Sequence, residues 1–333
     1  YRIRLNRDGA ITSLYDKTHK RQILERGKPA NDLQLFQDGP ELEDAWNVHA
    51  TFEKRRYPFS GTTTVEVLET GPLRGIVRVT RQHRATTIEQ DLIVYAHTPR
   101  IDFVTRVDWQ ERQTMLKAAF PVAIRSTRAT YEVQFGAVER PTHHNTSWDA
   151  EKFEVAAQRW VDLSESGYGV SLLNDCKYGH DIRNNVLRIT LLRGTTWPDP
   201  KADEGEHEFT YSLFPHAGNW TEAETVRRAW ELNAPLTAVT PVQAAPYHRS
   251  LLTIDGPAIV QAMKPAEDGQ GIILRLYEPH GARGPVTVRA PGISRVTETN
   301  LIEAPITDLK ATNGRFRFSI RPFQIRTFKL KAQ

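Results

Sequence analysis

Cysteine is almost absent from this 333-residue sequence, with Cys176 standing alone. A single thiol excludes an intrachain disulfide framework and a thiolate metal cluster, and it points to a reducing compartment, the cytoplasm. Long apolar runs are missing too: no stretch approaches the ~18 consecutive apolar residues of a membrane helix, and no basic-then-apolar leader opens the chain. No membrane partner is expected. An excess of one charge is also lacking, since 44 Lys and Arg stand against 40 Asp and Glu, a formal net charge of +4. The cations form no run and fall mostly on alternate positions, so they read as solvated sheet faces and no nucleic-acid partner is expected. The initiator Met is missing as well. YRIRLNRDGAITSLYD enters strand-like sequence at once, with a turn at Asp8 and Gly9, and a piece of a longer polypeptide is expected.

What is present is period-two alternation. In RIDFVTRVDW, Ile101, Phe103, Val107 and Trp109 fall on one face and Asp102, Arg106 and Asp108 on the other, the pattern of a strand with one face in a core. The same reading applies to Val65 and Val67, to Leu92 and Val94, and to Phe209, Tyr211 and Leu213. Gly61, Gly71, Pro72, Pro99, Gly167 and Gly169 punctuate these runs as turns of an antiparallel sheet would. The fold class is all-β. One helix of about three turns is predicted in NWTEAETVRRAWELNAP, with Thr221 as N-cap, Glu224 three residues on, Val226 and Trp230 four apart, and Pro235 beyond the end. The stretch Ala234 to Pro246 carries three prolines and no charge and reads as a linker. Residues 1–235 then form a large domain of two broad sheets, and residues 245–333 a small β-sandwich built from IILRLYEP, VTVRA, RFRFSI and QIRTFKL.

The segment Asn174 to His216 concentrates unusual residues. Two alternating strands flank a loop holding Arg193, Trp197, Asp199, Lys201, Asp203 and Glu204, more charge than a turn requires. A second acidic stretch, DGPELEDAWNVH, supplies Asp38, Glu41, Glu43, Asp44 and Trp46. Paired carboxylates are what glycoside hydrolysis needs, although acidic loops are commonly only solvated. Acid beside aromatic is a sharper signal, because sugars stack an apolar face on Trp or Tyr and offer hydroxyls to carboxylate or Arg. Trp46 beside Asp44, Tyr178 near Asp181, and Trp197 between Arg193 and Asp199 fit that requirement; packing in a core is the competing explanation, weaker for Trp197 because Pro198 places it in a loop. A metal site is not predicted: His143 and His144 are adjacent and would point to opposite strand faces, and His207 and His216 flank a strand without a ligand spacing. There is no Gly-x-Ser-x-Gly elbow and no phosphate-binding Gly loop. The sequons at Asn145 and Asn219 read as chance matches.

NDCKYGHD followed by LRITLLRGTTWPDPKADEGEHEFTYSLFPH closely resembles the C-terminal β region of glycoside hydrolase family 38 α-mannosidases. The run Arg140 to Asp175, the loop FQDGPELEDAWNVH and the ending RPFQIRTFKL are similar to further strands and loops of that family, so the resemblance covers nearly the whole chain. It implies a supersandwich like that of galactose mutarotases, followed by a small sandwich. It also implies a retaining α-mannosidase whose nucleophile and divalent metal, usually zinc, belong to an N-terminal catalytic domain of the same polypeptide. No cofactor and no catalytic residue is assigned to this chain, and the chain alone is expected to be inactive. Its loops would line the pocket for a mannose-containing oligosaccharide, with Asp44, Trp46, Tyr178, Asp181, Arg193, Trp197, Asp199 and Asp203 as sugar contacts. Asn47 stands where relatives often carry Asp.

Two rival readings come from other classes. The chain could be a self-sufficient carbohydrate-binding module, or an aldose 1-epimerase in which His83, His97 or His207 joins a Glu in ring opening.

Overall fold

A computed structural model describes residues 1–40, 42–240 and 250–332. The predicted alternation becomes strand pairing. Ile101–Trp109 lies between Thr86–Tyr95 and Gly205–Ala217, with Phe103 opposite Leu92 on one side and Tyr211 on the other. Three inward residues on three neighbouring strands thus share one line across the sheet, as a period of two demands when one face is buried.

Two sheets face each other in the first part of the chain. The larger has nine strands, running from Gly136–Pro141 at one edge to Thr63–Thr70 at the other. The smaller has six, in the order Val155–Ala156, Gly179–Arg183, Val186–Leu192, Thr114–Pro121, Asp32–Gln37, Arg56–Tyr57. Leu35, Leu116, Phe120 and Ile189 of the smaller sheet meet Phe103, Val107, Val161 and Tyr211 of the larger in one core. Phe103 lies 5.6 Å from Phe120 and 5.1 Å, stacked, from Tyr211. Full burial of each such ring stabilises by roughly 1.5–3 kcal/mol. The hydroxyl of Tyr211 is not left unmet: it donates to Asn31 Oδ1 at 2.6 Å and accepts from Gln90 Nε2 at 2.8 Å.

The second part builds a five-stranded and a three-stranded sheet. Leu274, Leu276, Phe328 and Leu330 of the former pack on Val286, Val288, Phe316 and Ile320 of the latter. The chain divides into two compact units, one of residues 1–132 and 139–236, the other of residues 133–138 and 237–333. Of the linker predicted between Ala234 and Pro246, residues 241–246 lie outside the described residues.

Several expectations are corrected. The helix spans Thr225–Asn233, and its N-cap position is Glu224 in a left-handed conformation (φ 54°) with no side-chain cap. Thr221 is not the cap, because its amide and hydroxyl both donate to Asn219 Oδ1, which closes a separate turn ahead of the helix. A one-turn helix at Ser147–Ala150 was not expected. Val65 and Val67 are exposed, since Thr63–Thr70 is an edge strand. Nor are all charged strand positions solvated: Asp102 is buried, gripped by Arg100 at 2.6 Å and by the Ser212 hydroxyl at 2.7 Å.

Candidate functional site

Strand register gathers three loops at one end of the six-stranded sheet. Gln37 pairs with Thr114 and Leu116 with Leu192, so Asp38, Gln113 and Arg193 all leave the sheet at that end. His180 pairs with Ile189 and Arg183 with Val186, which brings Tyr178 out at the same end. The loops are joined through their backbones: Gln113 N–H donates to Gly194 O at 2.6 Å, and Asp38 N–H donates to Gln113 O at 2.7 Å. Gly194 is required there. Its φ is +57°, and a Cβ would stand 2.4 Å from the Glu111 carbonyl oxygen.

Side chains lock the early loop onto the later one. Asp44 accepts three hydrogen bonds, from the amide and hydroxyl of Thr196 at 2.7 and 2.9 Å and from the amide of Trp197 at 2.9 Å. Burial pushes the Asp44 carboxyl up, but these donors outweigh it and hold its pKa below the usual 3.8. Arg193 reaches back, donating to Asp38 Oδ2 at 2.7 Å and to Asn47 O at 2.7 Å. Asp38 is buried more deeply, and burial wins over the Arg193 charge, so its pKa is raised. Asp203 accepts the amides of Arg193 and Gly194 at 3.1 and 2.9 Å. Asn47 donates from Nδ2 to Leu42 O at 2.9 Å, a bond an Asp could not make. Arg112 pairs with Glu204 at the rim.

Above this clamp stand Trp46 and Trp197, 66% and 51% exposed, with ring centroids 5.3 Å apart and planes tilted by 57°. Two large rings are therefore held in water by a fixed polar base, a costly arrangement for a surface that serves only packing. Asp199 is exposed beside them, one oxygen taken by the Lys201 amide at 2.9 Å. Glu41 lies outside the described residues.

The other predicted residues fall differently. Tyr178 is half exposed in the turn before Gly179, where its carbonyl accepts the Ala157 amide at 2.9 Å. Asp181 is buried, its two oxygens taken by Lys117 Nζ at 2.7 Å and Arg188 Nε at 2.6 Å, and it lines a separate cavity. Among the described residues no three His, Cys, Asp or Glu converge on a possible metal position. His83 is buried and takes the Ser60 amide on Nδ1 at 3.0 Å; His207 Nε2 bonds Asp203 O at 2.8 Å; His97 is exposed. None of the three is joined to a Glu by a hydrogen bond among the described residues. Ser171, His216 and Asp162 meet like a nucleophilic triad, but Ser171 and Asp162 both approach the same Nε2, at 3.2 and 2.8 Å, and Ser171 is fully buried. A relay needs the two ring nitrogens in different roles, so this cluster is a core brace. Sequence reasoning missed Gln113, Thr196 and Lys117. The lone Lys in TMLKAAFPV, a charge inside an otherwise apolar strand, was the available signal for the last.

Residues 1–201 match the family described as glycosyl hydrolases family 38 C-terminal domain, and residues 257–328 the glycosyl hydrolases family 38 C-terminal beta sandwich domain. Alpha-mannosidase 2C1 of Mus musculus is 38% identical over 345 residues, covering 100% of this chain and 33% of its own length. Alpha-mannosidase G of Dictyostelium discoideum is 34% identical, over 97% of this chain and 31% of its own. The crystal structure of an alpha-mannosidase from Enterococcus faecalis V583 superposes on 99% of this chain and 41% of its own, with a TM-score of 0.79 at 16% identity, a likeness of fold. This chain thus spans about a third of the length of the curated relatives it matches. Both parts of the chain match domains of the same family in the same order, and the chain belongs to glycosyl hydrolase family 38, as that family's C-terminal domain followed by its C-terminal beta sandwich.

Proposed function

We propose that this chain is the non-catalytic β portion of an α-mannosidase, and that its loops 38–47 and 193–204 form one wall of the sugar pocket. The observation that carries the reading is the Trp46 and Trp197 pair, presented to solvent on a base fixed by Asp44 and Arg193. Paired aromatic faces suit the apolar face of a pyranose ring, and a wall that does not move contributes orientation to a reaction whose bond-breaking groups lie elsewhere. Asp44, Arg193 and Asp203 act beneath the wall by shaping it, while Trp46, Trp197 and Asp199 meet the mannose-containing oligosaccharide. Tyr178, on the same end of the sheet, extends the wall. The nucleophile and a divalent metal, zinc by the family's habit, would be supplied by other parts of the polypeptide, because the His, Cys, Asp and Glu described here do not fit a metal site. No described helix is long and apolar enough to cross a membrane, and the exposed single thiol of Cys176 supports placing the protein in the reducing cytoplasm.

The test uses the full polypeptide that carries this chain. Trp197→Ala, alone and with Trp46→Ala, is expected to raise KM for an aryl α-mannoside by roughly tenfold, about 1.4 kcal/mol, with the melting temperature unchanged. Unaltered kcat and KM in the double variant would remove the wall from the mechanism. The 333-residue chain by itself is expected to give no turnover. Calorimetric titration of that chain with mannose and mannobiose separates the wall from an independent binding module, which alone predicts saturable heat.

A further inference from the structure

Apart from the Trp46 and Trp197 loops, a cavity of about 200 Å³ opens beside Phe52 and the strands Gly136–Pro141 and Gly179–Arg183. Its floor is aromatic, with Phe52, Tyr131 and Phe153. Its walls are charged, and the carboxylates among them are already engaged. Glu53 pairs with Arg183 and Arg188, and Asp181 pairs with Arg188 and the buried Lys117. Asp149 accepts the hydroxyl of Thr146 at 2.8 Å, the N-cap of the one-turn helix.

Arg140 is the group left over. It has no carboxylate partner among the described residues, its guanidinium lies 4.7 Å over the Tyr131 ring, and its Nη1 is enclosed without a hydrogen-bond acceptor. Burial pulls its pKa down, as expected for a cation lacking a counter-charge. His144, on another wall of the cavity, reports the same field: burial first, then the Arg183 charge, lowers its pKa. Lys152 completes the positive side, exposed and in no ion pair among the described residues. Leaving His144 neutral, four cations, Arg140, Lys152, Arg183 and Arg188, face three carboxylates, Glu53, Asp149 and Asp181, whose oxygens are engaged inside the protein.

We propose that this cavity is a binding site for a phosphate group, held by Arg140 with His144 and Lys152 against the Tyr131 and Phe153 floor. A guanidinium stacked on an aromatic ring presents its donors in a fixed fork, which suits a phosphate oxygen pair. The bound oxyanion supplies the counter-charge that the chain itself does not give Arg140. The phosphate can be free or carried on a hexose, and the cavity volume admits the group with the sugar left at the mouth.

Calorimetric titration at constant ionic strength tests this, using inorganic phosphate and, separately, mannose 6-phosphate, with mannose and chloride as blanks. Saturable heat with both phosphates assigns recognition to the group alone; saturation only with mannose 6-phosphate assigns it to a phosphorylated sugar. Arg140→Gln is expected to weaken binding at least about tenfold while the melting temperature holds, and Arg112→Gln, in the turn before Thr114–Pro121 and not among the cavity-lining residues, is expected to leave it unchanged. If Arg140→Gln proves unstable, Lys152→Gln serves, since an exposed unpaired Lys is not needed for folding; it is expected to weaken binding about two- to threefold. Absence of saturable heat with both phosphates, or phosphate binding unaltered in a folded Arg140 or Lys152 variant, overturns the site.

Discussion

At the scale of single residues, Asp44 is engaged by partners that its residue type alone does not announce. Its carboxylate beside Trp46 looks like a sugar ligand in the sequence, yet both oxygens are occupied by donors of the neighbouring loop. Asp44→Asn would turn one acceptor into a donor facing an amide N–H. The expected loss is about 1–3 kcal/mol, seen as a lower melting temperature and as faster hydrogen exchange at the Thr196 and Trp197 amides. The charge has a pH signature as well. Because the folded pKa lies below the unfolded 3.8, the Asp44 contribution is fully present above pH 3.8 and is lost as the pH falls through the folded value. Exchange protection of those two amides should therefore drop below pH 3.8 in the native chain and show no such step in Asp44→Asn. The acid and aromatic content of these loops was legible in the sequence. Which oxygen meets which amide was not, because the partners are more than 150 positions apart and depend on sheet register.

At the scale of elements, the strands Thr114–Pro121 and Gly179–Arg183 carry charge into the sandwich. Lys117 is fully buried, 2.6 Å from Glu154 and 2.7 Å from Asp181. Burial pulls its pKa down, but the two carboxylates outweigh this and raise it, so it stays charged. Lys117→Met removes the shared cation and leaves two carboxylates with less compensation, a loss of roughly 3–5 kcal/mol measurable by denaturant unfolding. Across the intervening strand Val186–Leu192, His180 is also fully buried, with Nε2 unmet, and burial lowers its pKa from 6.5 to about 4. The folded chain refuses a proton that the unfolded chain accepts. Stability is then full above pH 6.5 and falls as the pH drops from 6.5 toward 4, by roughly 2 kcal/mol between pH 7 and pH 5. His180→Gln should flatten that slope; an unchanged slope would assign it to other groups. Alternation identified strands such as Ile101–Trp109 because strand periodicity is local. It could not report the ion cluster, since a charge in an apolar run is explained only by the strands that come to lie beside it.

At the scale of the whole molecule, two cores without a common residue divide the chain, one around Phe103, Phe120 and Tyr211 and the other around Phe316, Phe328 and Leu276. The all-β class was legible because turn residues and alternating runs recur along nearly the full length. The grouping of residues 133–138 with the second unit was not, since nothing local marks a hairpin tip as belonging to a distant part of the chain. Cooperativity in unfolding follows shared packing, and each core here is completed by its own sheets. Differential scanning calorimetry of the chain is expected to resolve two transitions, with a total calorimetric enthalpy larger than the van't Hoff enthalpy of either. Leu276→Ala, a cavity in the second core costing about 2–5 kcal/mol, should lower one transition and leave the other in place. A single transition whose two enthalpies agree, shifted as a whole by that substitution, would mean that the two units unfold as one.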